Sequence, residues 1–153
     1  MKIYNLIFLG FIVASTISCS DKAVEPGEAV TIDDFVGSWN ATSYVVTNNS
    51  DPSVELNLIA LDAEFRFTML EKGRVRTWFT LGTYSDEWDS QAELTDNGTL
   101  VLTPAETARG VDTLDYVIDN NTLELTNHNA SFDFTLTGAT EVPATSVMMF
   151  VRD

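Results

Sequence analysis

One histidine, one cysteine and twenty-three acidic side chains bound the chemistry open to this 153-residue chain. His128 lies between Asn127 and Asn129, in a stretch that reads as a solvated turn. Such a chain cannot assemble a histidine-rich metal centre, and a Cys–His pair would have to recruit its single cysteine, Cys19. No serine stands in a nucleophile-elbow or S-x-x-K context, and a Ser-His-Asp triad would have to recruit His128. Asp86, Glu87 and Asp89 surround Trp88, and acids beside an aromatic platform are what a glycosidic site employs. They fall in a segment, 82–90, that reads as a polar loop, which would not hold two carboxylates rigidly opposed. Gly73, Gly82, Gly98, Gly110 and Gly138 stand apart, each near an expected strand end, and form no phosphate cradle. Neither metal nor cofactor is implied, and the expectation is a protein that is not an enzyme.

The apolar residues carry more information. Phe65, Phe67, Phe79, Tyr116, Phe132 and Phe134 fall on expected inward strand faces. They either fill a small barrel or line a cup for an apolar or amphipathic molecule. Arg66, Arg74 and Arg76, scarce cations here, cluster on one expected hairpin. They either pair with acids across the sheet or meet an anionic headgroup at a rim.

The elements that must position these groups are short and β-type. After a single helical turn over 32–36, a first strand runs from Trp39 to Thr47, and 48–53 is a turn-rich loop. Residues 54–61 form a strand or a segment crossing the barrel mouth. Alternation over 64–69 and 74–81 gives two strands joined at Glu71-Lys72-Gly73, with Trp78 on the arginine face of the second. Asp96-Asn97-Gly98 turns a hairpin between 91–95 and 99–103, which Pro104 ends. Strands follow over 112–118, 122–126 and 131–137, with a turn at 127–129 between the last two. In the strand over 131–137, Phe132, Phe134 and Leu136 point inward. A closing strand, 146–152, is apolar on both faces and therefore expected under cover or beside the first strand. Eight or nine short strands without crossover helices predict an all-β, single antiparallel up-and-down barrel of about eight strands; the alternative is a two-sheet sandwich.

The start of the chain reads as delivery apparatus. Lys2 precedes an apolar run, Ile3 to Ile17, too short and too early for a membrane span. It ends at Ser18-Cys19, which resembles the lipobox of bacterial lipoproteins, with Thr16 where that pattern usually has leucine. The resemblance implies cleavage before Cys19, a diacylglycerol on its thiol and anchoring to a membrane by lipid. Residues 1–18 would be the signal peptide, 19–31 a flexible tether and 32–153 the domain. Ser20 after Cys19, by analogy with known sorting rules, favours the outer membrane of a bacterial envelope. A formal charge of −15 argues against nucleic acid and against electrostatic docking on anionic lipid. The acids are scattered, which reads as a solvated surface, with calcium sites as the alternative.

Gly37-Ser38-Trp39 near the start of the first strand, the hairpin meander and Phe150-Val151-Arg152 at the end together resemble the bacterial lipocalin-like lipoproteins. That resemblance implies that Trp39 closes the barrel floor and that Arg152 packs over it. It also implies a small apolar or amphipathic ligand in the barrel. The alternative is a filled barrel that serves as an interaction module for an envelope protein partner.

Overall fold

The computed structural model describes residues 29–138 and 140–153. The expected signal peptide, Cys19 and the tether up to residue 28 lie outside the described residues. A 3-10 turn, Ile32–Phe35, leads into β1 (Gly37–Asn48), β2 (Glu55–Asn57) and β3 (Glu64–Met69). The chain continues through β4 (Arg74–Leu81), β5 (Tyr84–Leu94), β6 (Thr99–Pro104), β7 (Asp112–Asp119), β8 (Thr122–Phe132) and β9 (Val142–Arg152).

From β3 to β9 each strand pairs antiparallel with the next, and β9 returns to β1, from Trp39 opposite Arg152 to Asn48 opposite Ala144. The first residues of β1 pair with β3, Gly37 opposite Met69. This closes a ring of eight strands and excludes the two-sheet sandwich, because the ring has no edge at which a second sheet would begin. The short β2 pairs with the far half of β1, Val45 opposite Asn57, where β3 has already diverged. A 3-10 turn at Ile59–Leu61 then leads into β3, so the segment 54–61 is part strand and part crossing.

Two bulges set which side chains face inward. The register of β1 shifts between Ala41 and Ser43, so Trp39 and Ala41 point in at one end, and Tyr44 and Val46 at the other. The register of β8 shifts between Asn127 and Ala130. The turn expected at 127–129 is therefore a bulge within one continuous strand. The strand expected over 131–137 is corrected too: β8 ends at Phe132 and a turn follows. The Asp133 carboxylate accepts the Thr135 and Thr137 amides at 2.9 and 3.0 Å, competing with any ladder, and Leu136 takes a φ of 56°. Leu136 is accordingly exposed, not inward.

On β9, Ala144, Ser146, Met148 and Phe150 point inward, while Met149 and Val151 are exposed on the outer wall. That strand lies beside the first one, and its second apolar face is uncovered among the described residues.

The floor is built from both chain ends of the barrel. Trp39 and Phe35 are fully buried, and the Trp39 indole N–H donates to the Phe35 carbonyl at 2.8 Å. The Arg152 guanidinium lies 4.4 Å from the centre of the Trp39 ring and donates to the Asp34 carbonyl at 2.5 Å. Gly37 takes a φ of +141°, which side-chain-bearing residues rarely adopt, and this bend brings the chain from the plug into β1. Phe67, Met69, Val75, Leu100, Leu123 and Phe150 complete the packing above the plug. Each large apolar side chain buried there contributes roughly 1.5–3 kcal/mol.

Candidate functional site: the barrel cavity

Above the floor the interior is not filled. A cavity of about 410 Å³ opens between the walls. Its lower part is lined by Phe67, Met69, Val75, Leu100, Leu125 and Met148, all buried. These positions alternate with outward polar residues along their strands, so period-two patterning is the direct cause of an apolar lining.

Higher up, the wall made by β7, β8, β9 and β1 becomes polar. Asn127 and Ser146 are cross-strand neighbours, both buried, and Tyr44 lines the same wall from the next strand. The Asn127 amide donates to the Asp112 carboxylate at 2.9 Å. Burial, and secondarily the charge of Asp112, push the Tyr44 hydroxyl up to about 12, so it stays protonated. Asp112 is exposed as a residue, yet its carboxyl turns to the cavity wall. Lost hydration there raises its pKa above the ordinary value, against the opposing effect of the Asn127 hydrogen bond.

The opposite side of the mouth belongs to β5 and the β6–β7 loop. Tyr84, Asp86 and Trp88 occupy successive inward positions on β5. Arg109, from the loop, is ion-paired with Asp86 and stacks its guanidinium 4.5 Å from the centre of the Trp88 ring. The Tyr84 hydroxyl donates to Asp86 at 2.9 Å. The Arg109 hydrogen bond is the main reason the Asp86 carboxyl titrates below the ordinary carboxylate value. The Arg109 Nε is buried without a hydrogen-bond acceptor and approaches Glu106 only to 3.9 Å.

The six aromatic residues singled out from the sequence separate in space. Phe65, Phe67, Phe79 and Phe132 line the cavity. Tyr116 does not: it packs edge-on against Phe35, 5.1 Å between ring centres, and belongs to the floor. Phe134 does not either, because the turn after β8 carries it past the mouth, where it stacks edge-on with Phe132 at 5.3 Å.

The acids around Trp88 are likewise divided. The segment 82–90 is mostly strand, so Asp86 and Trp88 point in while Glu87 and Asp89 point out to Arg76, at 3.6 and 2.9 Å. Arg66 also lies on the outer wall, 4.8 Å from the Trp78 ring centre. His128 pairs with Asp115 at 3.1 Å on the outside.

Tyr44, Tyr84, Arg109, Asp112, Asn127 and Ser146 are lining residues that sequence patterning did not bring forward. Asp112 carries a signal, since it shares the even-numbered phase of Leu114, Tyr116 and Ile118. Arg109 carries none, being held in a loop by contacts that no local pattern encodes.

Among the described residues no group of three or more His, Cys, Asp or Glu side chains could hold a metal ion. No protein-family model matches the chain. A search of curated proteins gives no match either. Among solved structures the chain is similar to a complex of bovine odorant binding protein with a selenium-containing odorant, at 16% identity and a TM-score of 0.46. That likeness covers 84% of this chain and 76% of the other. The strand register itself shows a closed eight-stranded antiparallel barrel, which is consistent with a lipocalin-like fold.

Proposed function

We propose that this protein binds a small, mainly apolar molecule inside its barrel and does so without catalysis, as a lipid-anchored component of a bacterial envelope. The observation that carries the binding reading is the cavity of about 410 Å³, apolar below and polar along one upper wall. A ligand's apolar body would be shielded from water by the aromatic and aliphatic lining, and its polar end would meet groups already placed at the mouth. The two carboxylates at that mouth are held by hydrogen bonds, Asp86 from Arg109 and Tyr84, and Asp112 from Asn127. The membrane part of the reading is supported by Ser18-Cys19 and the apolar run before it.

Native mass spectrometry of the full-length protein, purified from its own host, tests the binding reading. A retained adduct that is released on denaturation supports it. A bare mass, together with no uptake of a polarity-sensitive apolar dye by the folded protein, refutes it and turns the search to protein partners. Anchoring is tested separately: Cys19→Ser should move the protein from the membrane to the soluble fraction, and an unchanged distribution rejects lipidation.

A further inference from the structure

The cavity is asymmetric in charge as well as polarity, and this deepens the ligand reading on which it rests. Its lining holds three ionisable groups, Asp86, Arg109 and Asp112. Arg109 is committed to Asp86 and to the face of Trp88. Asp112 is hydrogen-bonded by the neutral Asn127 amide, and among the described residues it has no ion-pair partner. Its position on β7 places it two residues above Leu114 on the inward face. Within the same lining stand the rings of Tyr44 and Phe79, whose faces attract a cation. A carboxylate-headed ligand would bring a second negative charge to Asp112 in a protein whose formal charge is already −15.

We propose that the cavity selects an amphipathic amine: an apolar body enters the barrel, and its ammonium group is bound by Asp112 beside the aromatic mouth. The ammonium donates a hydrogen bond to the carboxylate oxygen that Asn127 leaves free. This supplies Asp112 with a counter-charge that no ion pair among the described residues provides. Asp112 is here a specificity group, separating an amine from an alcohol or an acid with the same tail.

The test is titration calorimetry of the full-length protein with decylamine, decanol and decanoate, each below its micelle-forming concentration. Decylamine should bind about tenfold or more tighter than decanol, the order expected of a charge-assisted hydrogen bond, and decanoate should bind most weakly. Asp112→Asn keeps the side-chain shape and an acceptor for Asn127. It should bring decylamine to the affinity of decanol while leaving decanol unchanged. Glu93→Gln, on the outer face of β5, should leave the amine preference intact. An equal loss in Glu93→Gln and Asp112→Asn would mean that amines merely adsorb to an acidic surface, and would overturn the inference. It is also overturned if the three probes bind equally, or decanoate binds best, although the cavity would then stand as a ligand site. If none of the three binds, the ligand reading itself falls, and this inference with it.

Discussion

Asp112 stands where function and stability pull in opposite directions. A carboxyl whose folded pKa is raised binds more protons in the folded than in the unfolded state between the two pKa values. Stability therefore falls as pH rises from the ordinary carboxylate value through the raised one, and above that window the full cost of ionisation is present. Asp112→Asn should raise the melting temperature at neutral pH, with the gain shrinking as pH falls into that window. Thermal denaturation across a pH series reads this directly; a neutral-pH melting temperature that drops on substitution would show that the carboxylate is not destabilising. Gly73 is a residue-scale constraint of the opposite sign. At a φ of +74°, an added Cβ would lie 2.3 Å from the Ala92 carbonyl oxygen and 2.9 Å from the Gln91 side-chain nitrogen. The first of these is backbone and cannot swing away. Gly73→Ala should cost roughly 2 kcal/mol or more, seen as a lower urea midpoint without a change in slope.

Among the elements, the β6–β7 loop owes much of its order to one side chain. Ala105 donates its amide to the Asp89 carbonyl at 2.9 Å, but beyond it the loop is joined to β5 mainly through Arg109 on Asp86 and Trp88. Partly exposed ion pairs and cation–π contacts are each worth only about 1 kcal/mol or less. Arg109→Ala should therefore change global stability little while speeding amide exchange of residues 106–111, with Ala105 and the strands unaffected. Uniform acceleration across the barrel would show that the loop is part of the cooperative core. The same locality explains what the sequence reveals. Strands with strict alternation, such as Phe65-Phe67-Met69 opposite Val75-Thr77-Phe79, were legible, and so were Asp96-Asn97-Gly98 and the plug turn at 32–36. The meander implied a barrel because short hairpins allow little else. β5 gives no strand signal because Tyr84-Ser85-Asp86-Glu87-Trp88 alternates inside and outside in position without alternating in polarity. The β8 bulge is not legible in the sequence because one extra residue between Asn127 and Ala130 reverses the inside–outside phase, and Asn127-His128-Asn129 has turn composition. Arg109 could not be found locally, since its role exists only once β5 and the loop meet.

For the whole molecule, the barrel is a compromise between a closed, packed floor and an open upper half. Trp39, Phe35 and the Arg152 guanidinium fill one end, and the strands above could support more packing than they carry. An interior void forfeits dispersion contacts, so the ligand-free barrel should be less stable than a filled one of the same topology. Leu102, half-buried on β6, projects into the cavity and offers a place to supply the missing contacts. Leu102→Trp would put an indole into space already bounded by aromatic and aliphatic side chains, without altering the ladder that β6 makes with β5 and β7. If the space is a real void reserved for ligand, the melting temperature of the ligand-free variant should hold or rise. The wild-type barrel should gain stability on saturation with decylamine, about 2.7 kcal/mol at a hundredfold excess over Kd, and Leu102→Trp should lose that gain. Scanning calorimetry with and without the amine measures both. A variant that is destabilised in the ligand-free state yet retains the ligand-induced shift would place binding elsewhere and show the barrel interior to be packed core. Retained stability with loss of the shift would locate the ligand above the Trp39 floor, at the level where Tyr44, Asp112, Asn127 and Ser146 meet.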